Sequence, residues 1–328
     1  MDSVYAAWIR NFDEVLSCAS GGVATALSRD VIQSGGCVLG VAYSDDFKRT
    51  EYRVAYTLDE LEQFKGSKYT EVNLSASMPE SGGVYTFVKN ALSECPVLFI
   101  GLPCIVNALI QYLKKAKAEN LDKLITIGLI CDGAIPAVVL EQYVDYLENK
   151  YSSKLVRLSE RYKKGAWLPA YLYGEFANGR SFCKRLSHTE YGFAFEIYRR
   201  PKCFSCRYKE GNRTEDITVG DFWGIEDKGI PYSTKGTSLI ITRSAKGEFL
   251  VKNCKSIEIH DANIKSALSG NPRLLNSKDK STELDKFEQL LKKKGLIYAA
   301  RHCSFGLRWF KRLIPVSIKI WLNRLINR

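Results

Sequence analysis

No stretch of this chain approaches the roughly 18 consecutive apolar residues that a membrane span needs. Met1 to Phe12 likewise lacks the apolar centre of an export signal. Internal repeats and low-complexity linkers are absent too. Acidic residues are missing altogether from residues 301–328, where Arg301, Arg308, Lys311, Arg312, Lys319, Arg324 and Arg328 supply seven of the net +12 charges. A fold organised around nucleic acid would carry its basic face on structured elements with aromatics interleaved. Here most of the excess is a tail, so nucleic acid is not an expected partner. The missing export signal points to the cytoplasm. In that reducing compartment ten cysteines are thiols, metal ligands or redox groups rather than a disulfide framework.

What is present suits a sizeable core: 328 residues, 45% of them hydrophobic. Over residues 1–150 strands and helices alternate. Val4–Trp8, Val38–Tyr43, Val97–Ile100 and Leu124–Ile130 read as strands. Val23–Ser34, Asp59–Phe64, Gly83–Leu92, Ile105–Lys117 and Ala137–Glu148 read as helices. That alternation predicts an α/β fold with a largely parallel sheet. From 151 to 300 the texture turns β-rich. Leu155–Tyr162, Ala170–Phe176 and Arg180–Leu186 are strands of an insertion, with Asn178-Gly179 as a hairpin turn. A helix over Thr189–Tyr198 leads to Cys203-Phe204-Ser205-Cys206. Beyond it come strands at Ile217–Gly220, Ser238–Thr242 and Ser256–His260, and helices at Lys246–Asn253 and Leu284–Lys294. Residues 301–328 form a third part. Leu307, Phe310, Ile314, Ile318, Trp321 and Leu325 fall at helical spacing opposite the basic residues, and Pro315 kinks or splits that helix. It lies on an anionic membrane surface, packs on the body, or docks on another enzyme.

Five loops and turns carry candidate chemistry. Ser20-Gly21-Gly22 opens a helix, where free backbone N–H groups and the helix dipole favour an anion; it serves equally as a tight turn. Lys65-Gly66-Ser67-Lys68-Tyr69-Thr70 grips a phosphate or a flavin edge, or is a solvated surface loop. Cys104 and Cys131 each follow a buried strand, at the carboxyl edge where open α/β sheets place their sites. With Cys203 and Cys206 they make four thiols, the number a closed cluster or zinc site requires.

The ordered motifs resemble those of the coenzyme F420 hydrogenase/dehydrogenase beta-subunit family, over about residues 4–255. The family also includes chlorophyll-pathway reductases and bacterial members in polysaccharide gene clusters. The resemblance rests on Tyr5-Ala6-Ala7-Trp8, Ser20-Gly21-Gly22-Val23-Ala24-Thr25, Gly66-Ser67-Lys68-Tyr69, Gly101-Leu102-Pro103-Cys104, Cys131-Asp132-Gly133, Arg200-Pro201-Lys202-Cys203-Phe204-Ser205-Cys206, Gly220-Asp221-Phe222-Trp223-Gly224 and Gly236-Thr237-Ser238-Leu239.

It implies an oxidoreductase with FAD beside a [4Fe–4S] cluster. Its substrate would be coenzyme F420, another deazaflavin or nicotinamide, or a nucleotide sugar or glycan precursor. By the same resemblance Cys104, Cys131, Cys203 and Cys206 hold the cluster, and Cys18, Cys37, Cys95, Cys183, Cys254 and Cys303 do not. Ser20, Gly21, Gly22 and Thr25 surround the flavin pyrophosphate. Ser67, Lys68 and Tyr69 lie at the ring, with Lys68 near its N1–C2=O edge. Asp221, Trp223 and Gly224 form a wall of the pocket.

The chain departs from the family in two places. It starts at the first strand, without the ferredoxin-like segment that many members carry, so the resemblance implies a separate ferredoxin-like electron donor. Asp132 stands where many members have His; an ionised carboxylate only accepts hydrogen bonds, which alters proton delivery at this catalytic candidate. Two other readings keep part of the fold's logic: a flavoprotein whose cysteines bind zinc or nothing, and a non-catalytic scaffold held at the inner face of the membrane by its tail.

Overall fold

The computed structural model describes residues 2–303, so the tail reading from residue 304 onward lies outside the described residues. Two sheets organise the chain. The larger contains β1 (Ser3–Ile9), β2 (Cys37–Tyr43), β3 (Thr50–Ala55), β4 (Val97–Gly101) and β5 (Leu124–Leu129). The smaller is β6 (Leu155–Tyr162), β7 (Tyr171–Phe176) and β8 (Ser181–Arg185), and the chain then returns to the large sheet with β9 (Ile217–Asp221), β10 (Ser238–Thr242) and β11 (Ile257–Ala262).

The large sheet runs β11-β1-β10-β9-β5-β4-β2-β3. Its centre, β2-β4-β5-β9, is parallel, and every flanking pair is antiparallel. β1 points the same way as that centre, because it is two antiparallel steps from β9. Five of the eight strands therefore share one direction, and the expected α/β architecture with a mostly parallel sheet is what forms. Strands from both ends of the chain meet in it, β5 beside β9 and β1 beside β10.

Alternation along the strands explains why the sheet is covered on both faces. Tyr5, Ala7 and Ile9 of β1, Val38, Leu98, Ile127 and Ile240 belong to one core, under helix Val23–Gln33. Their neighbours along the strands point the other way. Cys37, Leu39, Val97 and Phe99 pack under helices Val84–Ala91 and Pro103–Lys115. Val4, Ala6, Leu239 and Ile241 pack with Trp167 and Phe222. A separate core joins the small sheet to helices Ala137–Tyr151, Glu190–Ile197, Leu284–Lys294 and Leu296–Cys303. The Asn178-Gly179 hairpin is as expected: the Phe176 N–H donates to Arg180 O at 2.9 Å, and Gly179 takes φ +81°. Among the described residues no helix is long and apolar enough to cross a membrane.

Candidate functional site

The parallel pairing of β4 with β5, Gly101 beside Gly128, brings the turns after both strands to one edge of the sheet. Pro103 opens the helix after β4, at a position where its missing N–H costs nothing, and Cys104 sits in that first turn. After β5 the chain turns through Cys131-Asp132-Gly133, and the Gly133 N–H donates to the Cys131 sulfur at 3.2 Å. Gly133 has φ +100°, and a Cβ there would lie 2.8 Å from Arg199 Cδ and 3.1 Å from Cys203 Cβ. The turn closes this tightly because residue 133 has no side chain.

A short 3-10 turn, Pro201–Ser205, brings in the remaining pair. The Cys203 N–H donates to Arg200 O at 2.8 Å, and the Cys206 N–H to Ser277 Oγ at 2.9 Å. Cys104, Cys131, Cys203 and Cys206 thus line a single cavity. Cys183 lies exposed on β8, in the other sheet.

Cations surround the four sulfurs. Asp132 gathers three of them: Arg199 Nη2 at 3.0 Å, Arg273 Nε at 2.8 Å and Lys278 Nζ at 3.3 Å. Arg200, Lys209 and Arg213 also line the cavity. Arg200 Nε is buried without a hydrogen-bond partner, and its nearest carboxylate, Glu71, is 3.7 Å away. Burial pushes the Cys131 thiol up to about 12 and also raises that of Cys104. Neutral thiols in a cationic, dry setting are groups that a positive metal centre would deprotonate.

An anionic iron–sulfur cluster fits this donor set: four thiols, an unpartnered Arg200 N–H and a surplus of positive charge. Four thiolates on one zinc at about 2.3 Å would crowd to within about 4 Å of each other. Among the described residues no three Cys, His, Asp or Glu side chains are placed to hold a single metal ion. A four-iron cluster is wider than one ion and holds its thiolates apart.

The second half of the site lies beside the first. Tyr69 N–H donates to Glu160 Oε2 at 2.9 Å, and Ser67 lies by the Tyr69 phenol. Lys68 Nζ donates to Lys65 O at 3.0 Å and sits 5.4 Å from the Tyr43 ring centre; burial lowers its pKa to about 8. At the end of β9, Asp221 pairs with Arg161 and accepts the Trp167 indole N–H at 3.0 Å. Trp223 stacks on Trp167 with ring centres 5.0 Å apart and carries the Arg161 guanidinium 5.2 Å from its ring centre. The Ser20 carbonyl accepts from Lys163 Nζ, and the Gly21 N–H donates to Ser238 Oγ at 3.0 Å. Gly22, at φ +82°, starts helix Val23–Gln33 with no side-chain cap.

Ser20, Ser67, Lys68, Tyr69, Asp221 and Trp223 are therefore drawn around one set of charges. Thr25 instead accepts from the Cys18 thiol at 3.6 Å, and Gly224 turns away at φ +71° toward Gly270.

Sequence reasoning missed the residues at the centre of this half, Glu160, Arg161, Lys163 and Trp167. Glu160 is fully buried, bound by the Tyr43 hydroxyl at 2.7 Å and the Tyr191 hydroxyl at 2.8 Å, and burial raises its pKa. Arg161 Nη2 is buried with no hydrogen-bond partner. That N–H, on a guanidinium that meets the Trp223 ring and the Tyr69 phenol, suits a planar ligand with anionic groups, as a flavin nucleotide is. In the sequence, Glu-Arg-Tyr-Lys-Lys at a strand end has the composition of a solvated edge. Only Asp221, a lone acid in an apolar corner, signals that a cation must face it.

Phe195 connects the two halves. Its ring centre is 4.2 Å from that of Tyr69 and 4.1 Å from the guanidinium of Arg199, the cation paired with Asp132. A parallel backbone bridge, Thr70 with Ile135, fastens the Lys68-Tyr69 loop to the segment after Cys131.

Comparison with known proteins agrees with this layout. Two stretches match the family described as "Coenzyme F420 hydrogenase/dehydrogenase, beta subunit": residues 4–78 match its N-terminal part and residues 96–265 its C-terminal part. Among solved structures, a chain of the F420-reducing [NiFe] hydrogenase complex from Methanosarcina barkeri, in a xenon-derivatised form, superposes with a TM-score of 0.52 at 18% identity. The match covers 92% of this chain and 90% of that one, and at this identity it shows a shared fold. The chain belongs to the coenzyme F420 hydrogenase/dehydrogenase beta-subunit family of oxidoreductase subunits.

Proposed function

We propose that this protein is an FAD- and iron–sulfur-dependent oxidoreductase that passes electrons between a one-electron donor and a small-molecule substrate. Cys104, Cys131, Cys203 and Cys206 would hold a [4Fe–4S] cluster, and FAD would lie against Lys68, Tyr69, Asp221 and Trp223. The observation that carries this reading is the convergence of four cysteines from three separate segments on one cationic cavity. Its support is the contact line Tyr69–Phe195–Arg199 leading from that cavity to the second half of the site. When bound, the cluster supplies single electrons and the flavin supplies two-electron hydride chemistry.

The chain's own residues do the rest. Arg200 would offer its unpartnered Nε–H to a bound cluster, and the Gly133 N–H donates to the Cys131 sulfur. Lys68 places positive charge where negative charge would develop on a reduced ring. Asp132, engaged by three cations, orders the cavity wall, so we assign proton delivery elsewhere. A deazaflavin is the substrate class that the family's description favours, with a polysaccharide precursor as the narrower possibility raised by the bacterial members. A separate ferredoxin-like protein or a neighbouring subunit would be the donor; the related chain from Methanosarcina barkeri comes from a hydrogenase complex. The cytoplasm is the proposed setting, consistent with ten free thiols.

Anaerobic purification tests the reading. The expected protein is brown, with broad absorption near 400 nm, flavin bands, and iron far above zinc. Zinc-loaded protein without those bands would sink the cluster assignment, and failure to take up FAD would leave only a scaffold.

A further inference from the structure

Arg161 is the most unusual charged residue of the second half-site. Its side chain is only 9% exposed, its Nη1 pairs with Asp221, the Tyr69 phenol lies against the guanidinium, and its Nη2 has no hydrogen-bond partner. One face of the guanidinium is covered by the Trp223 ring, so the open N–H is offered in the plane of the group. In-plane N–H pairs of arginine match oxyanions rather than ring faces.

A second buried cation is tied to the same place. Lys163, 4% exposed, donates to two backbone carbonyls, Val15 O at 2.8 Å and Ser20 O, and among the described residues no carboxylate pairs with it. It thereby fixes the turn that delivers Gly22 to the uncapped start of the eleven-residue helix Val23–Gln33. Burying two cations with one carboxylate is costly unless something anionic completes the set.

We infer that Arg161, with Lys163 behind the Ser20 turn, forms the seat for the phosphate groups of a flavin nucleotide. The assignment rests on the flavin reading above and extends it to residues that no motif pointed to. It also specifies the ligand: the seat selects the phosphorylated flavins, FAD and FMN, over riboflavin, whose ring is the same and which has no phosphate.

Titration of the full chain with FAD, FMN and riboflavin, followed by quenching of flavin fluorescence, decides the matter. Wild type should bind FAD more tightly than riboflavin. Arg161→Met should weaken FAD roughly 10- to 100-fold more than riboflavin, the range expected for one lost charged hydrogen bond, and leave iron content unchanged. Should Arg161→Met fail to fold by circular dichroism, Arg161→Lys decides alone, with FAD weakened severalfold more than riboflavin. Equal weakening of FAD and riboflavin would place Arg161 at the ring and overturn the inference, as would FAD binding that no Arg161 variant changes. Wild type that binds riboflavin as tightly as FAD overturns the phosphate seat while sparing the flavin reading. Wild type that binds no flavin removes both.

Discussion

Arg199 and Asp132 meet at 3.0 Å in the wall of the cysteine cavity, the arginine side chain fully buried and the carboxylate 31% exposed. The Arg199 Nε also donates to the Asp132 backbone carbonyl at 3.1 Å, so one guanidinium grips both ends of the residue. Asp132→Asn should leave Arg199, Arg273 and Lys278 without their shared counter-charge. The expected loss is about 2–4 kcal/mol, toward the lower side for a buried pair because Asp132 is partly solvated. Urea unfolding measures it; an unchanged midpoint would show that the three cations do not depend on this acid.

Cys203→Ala should lose iron, because its sulfur lines the cavity, whereas Cys183→Ala should not, because it stands on the small sheet. Iron per chain after anaerobic reconstitution reads this directly. Equal loss from both variants would refute the ligand set.

Gly133→Ala should behave like a ligand mutation without touching a sulfur. Its Cβ has no room beside Arg199 Cδ and Cys203 Cβ, and φ is +100°. A destabilisation of about 1–3 kcal/mol together with reduced iron is expected. Iron content equal to wild type would mean that the turn relaxes without moving Cys203.

Lys68 should contribute a stability that grows with pH between about 8 and 10. Burial lowers its pKa to about 8. Between that value and the ordinary lysine range the unfolded chain holds this proton and the folded one does not, so the contribution climbs, by at most about 1.4 kcal/mol per pH unit. Buried thiols work in the opposite direction: Cys37 and Cys254 keep their protons up to about 12 and about 11, so from the ordinary thiol range upward the unfolded chain loses protons first at them. The lysine is therefore read as a difference: the stability of wild type relative to Lys68→Met should climb with pH across this window, as measured by unfolding midpoints. A difference that stays flat would remove Lys68 from the account.

Much of the fold was legible because periodicity in this chain is strong. β4, β5 and β10 are short apolar runs between turns, and the helices after β4 and β5 begin at Pro103 and directly after Pro136. The strand Thr50–Ala55 went unread because Glu51 and Arg53 interrupt it and it lies at the sheet edge. Helices Phe12–Ser17 and Leu296–Cys303 are too short for a period to stand out. The four cavity cysteines were legible from position after strands and from motif order. Glu160 and Arg161 were not, because their burial is created by partners far away in the chain, Tyr43, Tyr191 and Asp221. Local composition holds no trace of a hydrogen bond that spans 117 residues.

The bridge between Thr70 and Ile135 has a mechanical meaning. Two loops joined by backbone hydrogen bonds, Ile135 N–H to Tyr69 O at 3.1 Å and Glu71 N–H to Ile135 O at 2.8 Å, move as one rigid strut. The span between whatever the thiol turn holds and whatever the Lys68-Tyr69 loop holds is then set by main-chain geometry, not by rotamers. For the proposed cluster and flavin, whose electron exchange would slow steeply with added distance, such a strut would hold the separation fixed while the surrounding side chains fluctuate.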